Sequence, residues 1–95
     1  MDCKSVRYSR HAIERMFQRG IPPDAILECI RTGEVIDSYP DDKPYPSVLL
    51  LAASDGLPVH VLVARESETG NCHVVTVYRP DPELWSSDFK TRRQS

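Results

Sequence analysis

The chain has 95 residues, 40% hydrophobic and 27% charged, with a formal net charge of −2. That length suits a single domain over 1–95 with one modest core, and excludes a two-core protein. No apolar run approaches the ~20 residues of a membrane-spanning helix, and the net charge argues against a strong nonspecific hold on phosphate backbones.

In chain order, Ser9 is a good N-cap and Gly20 a good C-terminal stop for a first helix over residues 10–19. Ile13, Met16 and Phe17 recur at i, i+3 and i+4 beside Ala12, which predicts the buried face. His11, Arg15 and Arg19 are spaced four apart and form a cationic stripe along the border of that face. Glu14 and Gln18 fall on the solvated side. Ile21-Pro22-Pro23-Asp24 breaks the chain and starts a second helix over 23–32, because proline suits a first turn. Ile26, Leu27 and Ile30 supply its apolar face, and Gly33 ends it.

From Glu34 the period changes to two. Residues 34–39 read as an edge strand, and the proline-rich Pro40–Pro46 as a loop. Residues 47–53 and 57–65 form strands joined by Asp55-Gly56, the preferred pair for a type I′ hairpin. Residues 72–79 make a fourth strand, stopped by Pro80-Asp81-Pro82. Glu83–Trp85 reads as one helical turn, with Trp85 plugging the core edge. The tail covers 86–95, with Thr91–Ser95 frayed. The expected fold is α+β: two helices packed on one face of a four-stranded, mainly antiparallel sheet.

Cys3, Cys29 and Cys72 are odd in number and widely spaced. This suits separate thiols in a reducing compartment, not a disulfide framework or a CxxC zinc site. The N-terminus lacks a signal-peptide apolar region, so a cytoplasmic location and no membrane association are expected. Charge is uneven. Arg7, Arg10, Arg15 and Arg19 crowd the first helix and Lys90, Arg92 and Arg93 the tail, while acids dominate Asp37–Asp42 and Glu66–Glu68.

The hairpin register pairs Ala52 with Val59 and Leu51 with His60. His60 then shares a face with Leu62 and Ala64, opposite Val59, Val61 and Val63. A strand histidine is either a hydrogen-bonded structural residue or a proton-transfer group. Tyr78 and Arg79 end the fourth strand and point to opposite faces, Tyr78 as core cover or site member and Arg79 as a candidate substrate-binding cation. His73 begins the same strand, where a surface role is expected, and Tyr45-Pro46-Ser47 opens the second. No nucleophile elbow, phosphate-binding glycine loop or HExxH motif occurs. His, Arg and Tyr together make the set that metal-free RNA cleavage uses: a base for the 2′-hydroxyl, an acid for the leaving oxygen and cations for the phosphate. The dull reading of the stripe is a solvated helix face.

The segments YSRHAIERMFQRGI, GEVIDSYPDDKPYPS, LPVHVLVA and VVTVYRPDPELW resemble the bacterial family catalogued as domain of unknown function 4258, over about residues 8–93. The resemblance rests most on His11-Ala12, Arg15, Arg19-Gly20-Ile21, Tyr45-Pro46-Ser47, His60, Tyr78, Pro80-Asp81 and Trp85. Such domains look like relatives of RelE/BrnT-type toxins. The resemblance therefore implies a RelE-like fold and mRNA cleavage without metal, on the ribosome or free. It also implies restraint by an antitoxin protein with paired CxxC zinc motifs, of the YgiT/MqsA type. Such toxins are usually basic, whereas this chain has a pI near 5.9.

The leading expectation is a toxin component acting as a metal-independent endoribonuclease, with no cofactor. His11 transfers protons, Arg15 and Arg19 bind the scissile phosphate, and His60 and Tyr78 are further acid/base candidates. The alternative is a non-catalytic protein-binding or regulatory module that uses the stripe. A third reading is a metal site involving His11, His60, His73 or a cysteine.

Overall fold

The computed structural model describes residues 1–94. Its elements are β1 (Ser5–Tyr8), α1 (Arg10–Arg19), α2 (Pro23–Thr32), β2 (Glu34–Tyr39), β3 (Ser47–Ser54), β4 (Leu57–Arg65) and β5 (Asn71–Tyr78). The fold is α+β with two helices on one face of a five-stranded mixed sheet, in the order β1-β5-β4-β3-β2. Four strands are antiparallel neighbours, while β1 pairs parallel with β5, Ser5 opposite Asn71 and Tyr8 opposite Val74. The expectation of four strands is thus corrected by one short edge strand. Its half-buried Val6 and Tyr8 pack against the core.

Local chemistry sets the helix ends. Ser9 Oγ accepts from Ala12 N–H at 2.9 Å and donates to the Val75 carbonyl at 2.8 Å, so one hydroxyl caps α1 and fastens it to β5. At the other end Gly20 takes φ 64°, the Ile21 N–H bonds the Met16 carbonyl at 2.9 Å, and the Gly20 N–H bonds the Phe17 carbonyl at 3.3 Å. This is a Schellman motif, with buried Ile21 and Met16 as its apolar pair. Gly33 is needed for a different reason. A Cβ there would lie 2.4 Å from the Cys29 carbonyl oxygen, where α2 closes onto β3.

The core side of the sheet carries Val59, Val61 and Val63 with Leu50, Val74 and Val77, covered by Ala12, Met16, Ile26 and Ile30. The buried face of α1 differs from the expected one. Phe17 is 89% and Ile13 54% exposed, while Ala12 and Met16 face the sheet. Ala12 presents only a methyl group, so α1 sits close on β5 and its larger apolar residues turn outward, beside Pro22 and Pro23. On α2, Cys29 is buried in place of Leu27, which is exposed.

Part of the opposite face of the sheet, around His60, is covered by the C-terminal segment. Leu84 and Trp85 N–H groups both bond the Asp81 carbonyl, at 2.9 and 3.0 Å, completing one helical turn after the Pro80-Asp81-Pro82 stop. Trp85 is buried and bridges antiparallel to Arg92. Arg93 is held twice, N–H to the Leu84 carbonyl at 2.8 Å and Nε to the Pro82 carbonyl at 2.9 Å. Thr91–Arg93 are therefore docked, not frayed; Ser95 lies outside the described residues.

Cys3 and Cys72 form a disulfide across the β1–β5 edge, with Cα atoms 5.5 Å apart, and Cys29 is a buried free thiol. This corrects the expectation of three separate thiols. Burial and the neighbouring Glu28 push the Cys29 thiol pKa up, so it is a poor nucleophile. Unfolded without reductant, the protein should titrate a single thiol; finding more than one would refute the pairing. The bridge spans 69 residues of sequence. Cys3→Ser should lower the free energy of unfolding by about 4 kcal/mol through lost loop-closure constraint, read from urea midpoints.

Candidate active-site cleft

The antiparallel register sets His60 opposite Tyr78. Both project from the sheet face away from the helices, because they alternate with the core residues Val59, Val61 and Val77. His60 is fully buried. Its Nε2 lies 2.8 Å from the Phe89 carbonyl oxygen, which only accepts, so Nε2 carries the hydrogen. Nδ1 of the neutral ring is then an acceptor, and the Tyr78 hydroxyl donates to it across 3.1 Å. Trp85 meets the imidazole edge-on, with ring centroids 4.4 Å apart. Burial pushes the His60 pKa down, opposed by the Phe89 carbonyl. Burial pushes the Tyr78 hydroxyl up, opposed by Arg92. At neutral pH the couple is a neutral imidazole and a protonated phenol.

Tyr78 opens into a cleft of about 470 Å³ between the C-terminal segment and β2–β3. Asp37, Tyr39 and Leu49 line one part, and Lys90 and Arg92 another. The Arg92 guanidinium lies 5.5 Å from the centre of the Trp85 ring, and Lys90 Nζ lies 3.1 Å from the Glu34 carboxylate. The Tyr39 hydroxyl donates to Asp37 at 3.2 Å. Burial raises the Tyr39 pKa, and Asp37 adds to the rise. The cleft thus combines two phenols, a carboxylate and two cations, and one of its phenols is hydrogen-bonded to the buried His60 imidazole.

The expected site residues divide between the two sides of the sheet. His60 and Tyr78 come together as described. His11 and Arg19 are exposed and Arg15 is half-buried, on a helix whose buried row packs against the core side. His11 and Arg15 therefore do not join His60. Arg79 points to the core side of the hairpin, where its Nη1 donates to the Ser54, Leu57 and Pro58 carbonyls at 3.3, 3.3 and 3.2 Å. That guanidinium is engaged with the hairpin and not turned to the cleft. His73 is half-buried and bonded to Glu66 at 2.6 Å, where a surface position was expected. Among the described residues, no three His, Cys, Asp or Glu side chains converge on a point that would hold a metal. No helix among them is long and apolar enough to cross a membrane.

Asp37, Tyr39, Lys90 and Arg92 are cleft residues that sequence reasoning did not single out. The available signal was the basic tail following a Pro-Asp-Pro turn, after which the chain crosses the sheet face to His60 on β4 and Glu34 on β2.

The chain belongs to the family described as Domain of unknown function (DUF4258), which matches residues 8–79. No curated protein and no solved structure matches it. The family match includes His60 and Tyr78 and stops before Trp85, Lys90 and Arg92.

The His60 pKa gives a pH dependence. The folded value is below the unfolded reference of 6.5, so the unfolded chain binds the extra proton. Stability from this group is complete above that reference and falls as pH drops through it towards the folded value. The urea midpoint should decline on acidification below pH ~6.5, with a slope of up to ~1.4 kcal/mol per pH unit. His60→Gln should flatten this window; an unchanged slope would refute the assignment.

Proposed function

We propose that this protein is a metal-independent endoribonuclease, the toxin component of a bacterial toxin–antitoxin pair acting on RNA in the cytoplasm. The observation that carries the reading is the Tyr78 hydroxyl donating to buried His60 Nδ1 at the wall of a cleft lined by Lys90 and Arg92. The resemblance to RelE/BrnT-type toxins supports it, and with it a RelE-like relationship of the fold.

In this reading a substrate 2′-hydroxyl donates to the Tyr78 oxygen. Its proton passes to Tyr78 as the Tyr78 proton passes to His60 Nδ1. The Nε2–H stays on the Phe89 carbonyl, which stabilises the imidazolium. The 2′-oxygen attacks phosphorus, the bond to the 5′-oxygen breaks, and water supplies the proton to that leaving oxygen. Arg92 and Lys90 balance charge growing on the non-bridging oxygens. The products are a 2′,3′-cyclic phosphate and a 5′-hydroxyl. This chemistry shifts the catalytic role from His11 to Tyr78 and His60.

Purified protein free of any antitoxin should cut single-stranded RNA, either alone or on ribosomes, and its expression should arrest growth. Tyr78→Phe should lower cleavage by about 10²–10⁴-fold with the fold retained. A folded wild-type protein that neither cuts RNA nor slows growth would sink the proposal.

A second reading rests on α1, which turns both charge and apolar surface outward: His11 and Arg19 are exposed, as is Phe17. Here the domain is a non-catalytic module that binds an acidic partner, such as the tail of an antitoxin with paired CxxC zinc motifs. Reversing charge at Arg15 and Arg19 together should then abolish the complex, measured by co-purification from cells expressing both genes of the pair. In that case no RNA cleavage appears in any variant.

A further inference from the structure

A second concavity lies on the same sheet face, towards the opposite end of β4. It measures about 350 Å³ and is lined by the apolar Leu62, Ala64 and Val75 together with Tyr45, His73 and Asp42. His60 and Ala64 are four residues apart on β4, so this recess lies about 13 Å along the strand from the Tyr78–His60 couple. The two are continuous. Asp42 and Leu62 also line a shallow depression shared with Tyr39, Leu49 and Tyr78.

One wall of the recess is an aromatic stack. The Tyr45 and His73 rings lie 5.5 Å apart at 9°. The stack is held from behind: His73 Nε2–H donates to a Glu66 oxygen at 2.6 Å, and the Thr69 hydroxyl donates to the other at 3.1 Å. The His73 hydrogen bond pulls the Glu66 carboxyl pKa down, so the anchor is ionised. A platform whose rings are already fixed loses little rotamer freedom when a third ring stacks on it. Asp42 and Lys43 both line the recess, and Asp37 stands with Lys90 and Arg92 in the cleft. Asp42 gives one carboxylate oxygen to the buried Ser47 hydroxyl at 2.6 Å, which leaves the other as an acceptor. An aromatic-walled recess with a carboxylate acceptor in its lining suits a flat ring bearing an amino donor.

We infer that the Tyr45–His73 recess binds a nucleobase carrying an exocyclic amino group, adenine, guanine or cytosine in preference to uracil, one step along the strand from the reacting phosphate. This rests on the reading of the cleft as an RNA site and adds to it a base-specificity subsite. Stacking on Tyr45 gives affinity, and the Asp42 carboxylate accepts from the amino group. Uracil has no exocyclic amino group, and its N3–H is flanked by two carbonyl oxygens that a carboxylate repels.

The test separates binding from cleavage. Fluorescence anisotropy would follow wild-type protein binding short 2′-O-methyl oligouridylates, which the 2′-hydroxyl route cannot cleave. The probes are all-uridine or carry one adenosine, guanosine or cytidine. An amino-bearing base should tighten binding about tenfold. Tyr45→Ala should lose about tenfold in affinity for every probe, Tyr45→Phe should bind like wild type, and Asp42→Asn should erase the preference over uracil. If wild type cuts RNA while Tyr45→Ala and Asp42→Asn bind and cut as it does, the recess assignment is wrong and the cleavage reading stands. If no oligonucleotide binds, the recess assignment is likewise wrong, and the cleavage assay judges the other reading by itself.

Discussion

The buried imidazole of His60 is the constraint on which the far side of this molecule depends. Its two nitrogens point in different directions, one to Tyr78 on β5 and one to the Phe89 carbonyl of the C-terminal segment. A buried ring with either nitrogen unpaired would cost about 1–3 kcal/mol, so the strand pair and the segment are each required by the other. The same two bonds leave one tautomer, and with it the direction in which the Tyr78 proton points. Trp85 packs on the ring and excludes water from it. Among the described residues no buried side-chain nitrogen or oxygen lacks a partner, so the polar centre is complete without solvent.

The sheet therefore separates two kinds of work. On one face, small and branched apolar residues meet two short helices. On the other, side chains from β2, β3, β5 and the C-terminal segment line a cleft, with the buried His60 of β4 hydrogen-bonded to its Tyr78.

What could be read in the sequence follows the range of the interactions involved. Ser9 and Gly20 bound the first helix through hydrogen bonds to residues within one turn, and both caps are visible as residue types. Asp55 and Gly56 both take positive φ, and the two-residue turn sets the pairing of Leu51 with His60. β1 was not legible, because it has four residues and its partner strand lies 66 positions away. The Cys3–Cys72 pairing depends on that strand and was hidden with it. Helical periodicity showed that α1 has an apolar side but not how the helix is rolled, which the small Ala12 at the contact decides. Half of the site was legible: His60 and Tyr78 from register and strand position. The other half was not, because Lys90 and Arg92 reach the cleft only after the chain doubles back.

The disulfide also divides the chain in a covalent sense. Residues between Cys3 and Cys72 form a closed ring containing both helices and four complete strands. One peptide-bond scission inside that ring leaves the two pieces joined through sulfur. Lys90 and Arg92 lie outside it, on a strap attached by one backbone connection and by noncovalent bonds. A single cut near Pro80, a position between β5 and the strap, separates the reactive rim from an otherwise intact scaffold. It also removes the Phe89 carbonyl from His60, so the acceptor that fixes the imidazole tautomer and the cations of the cleft are released together, while Tyr78 and His60 stay on the scaffold.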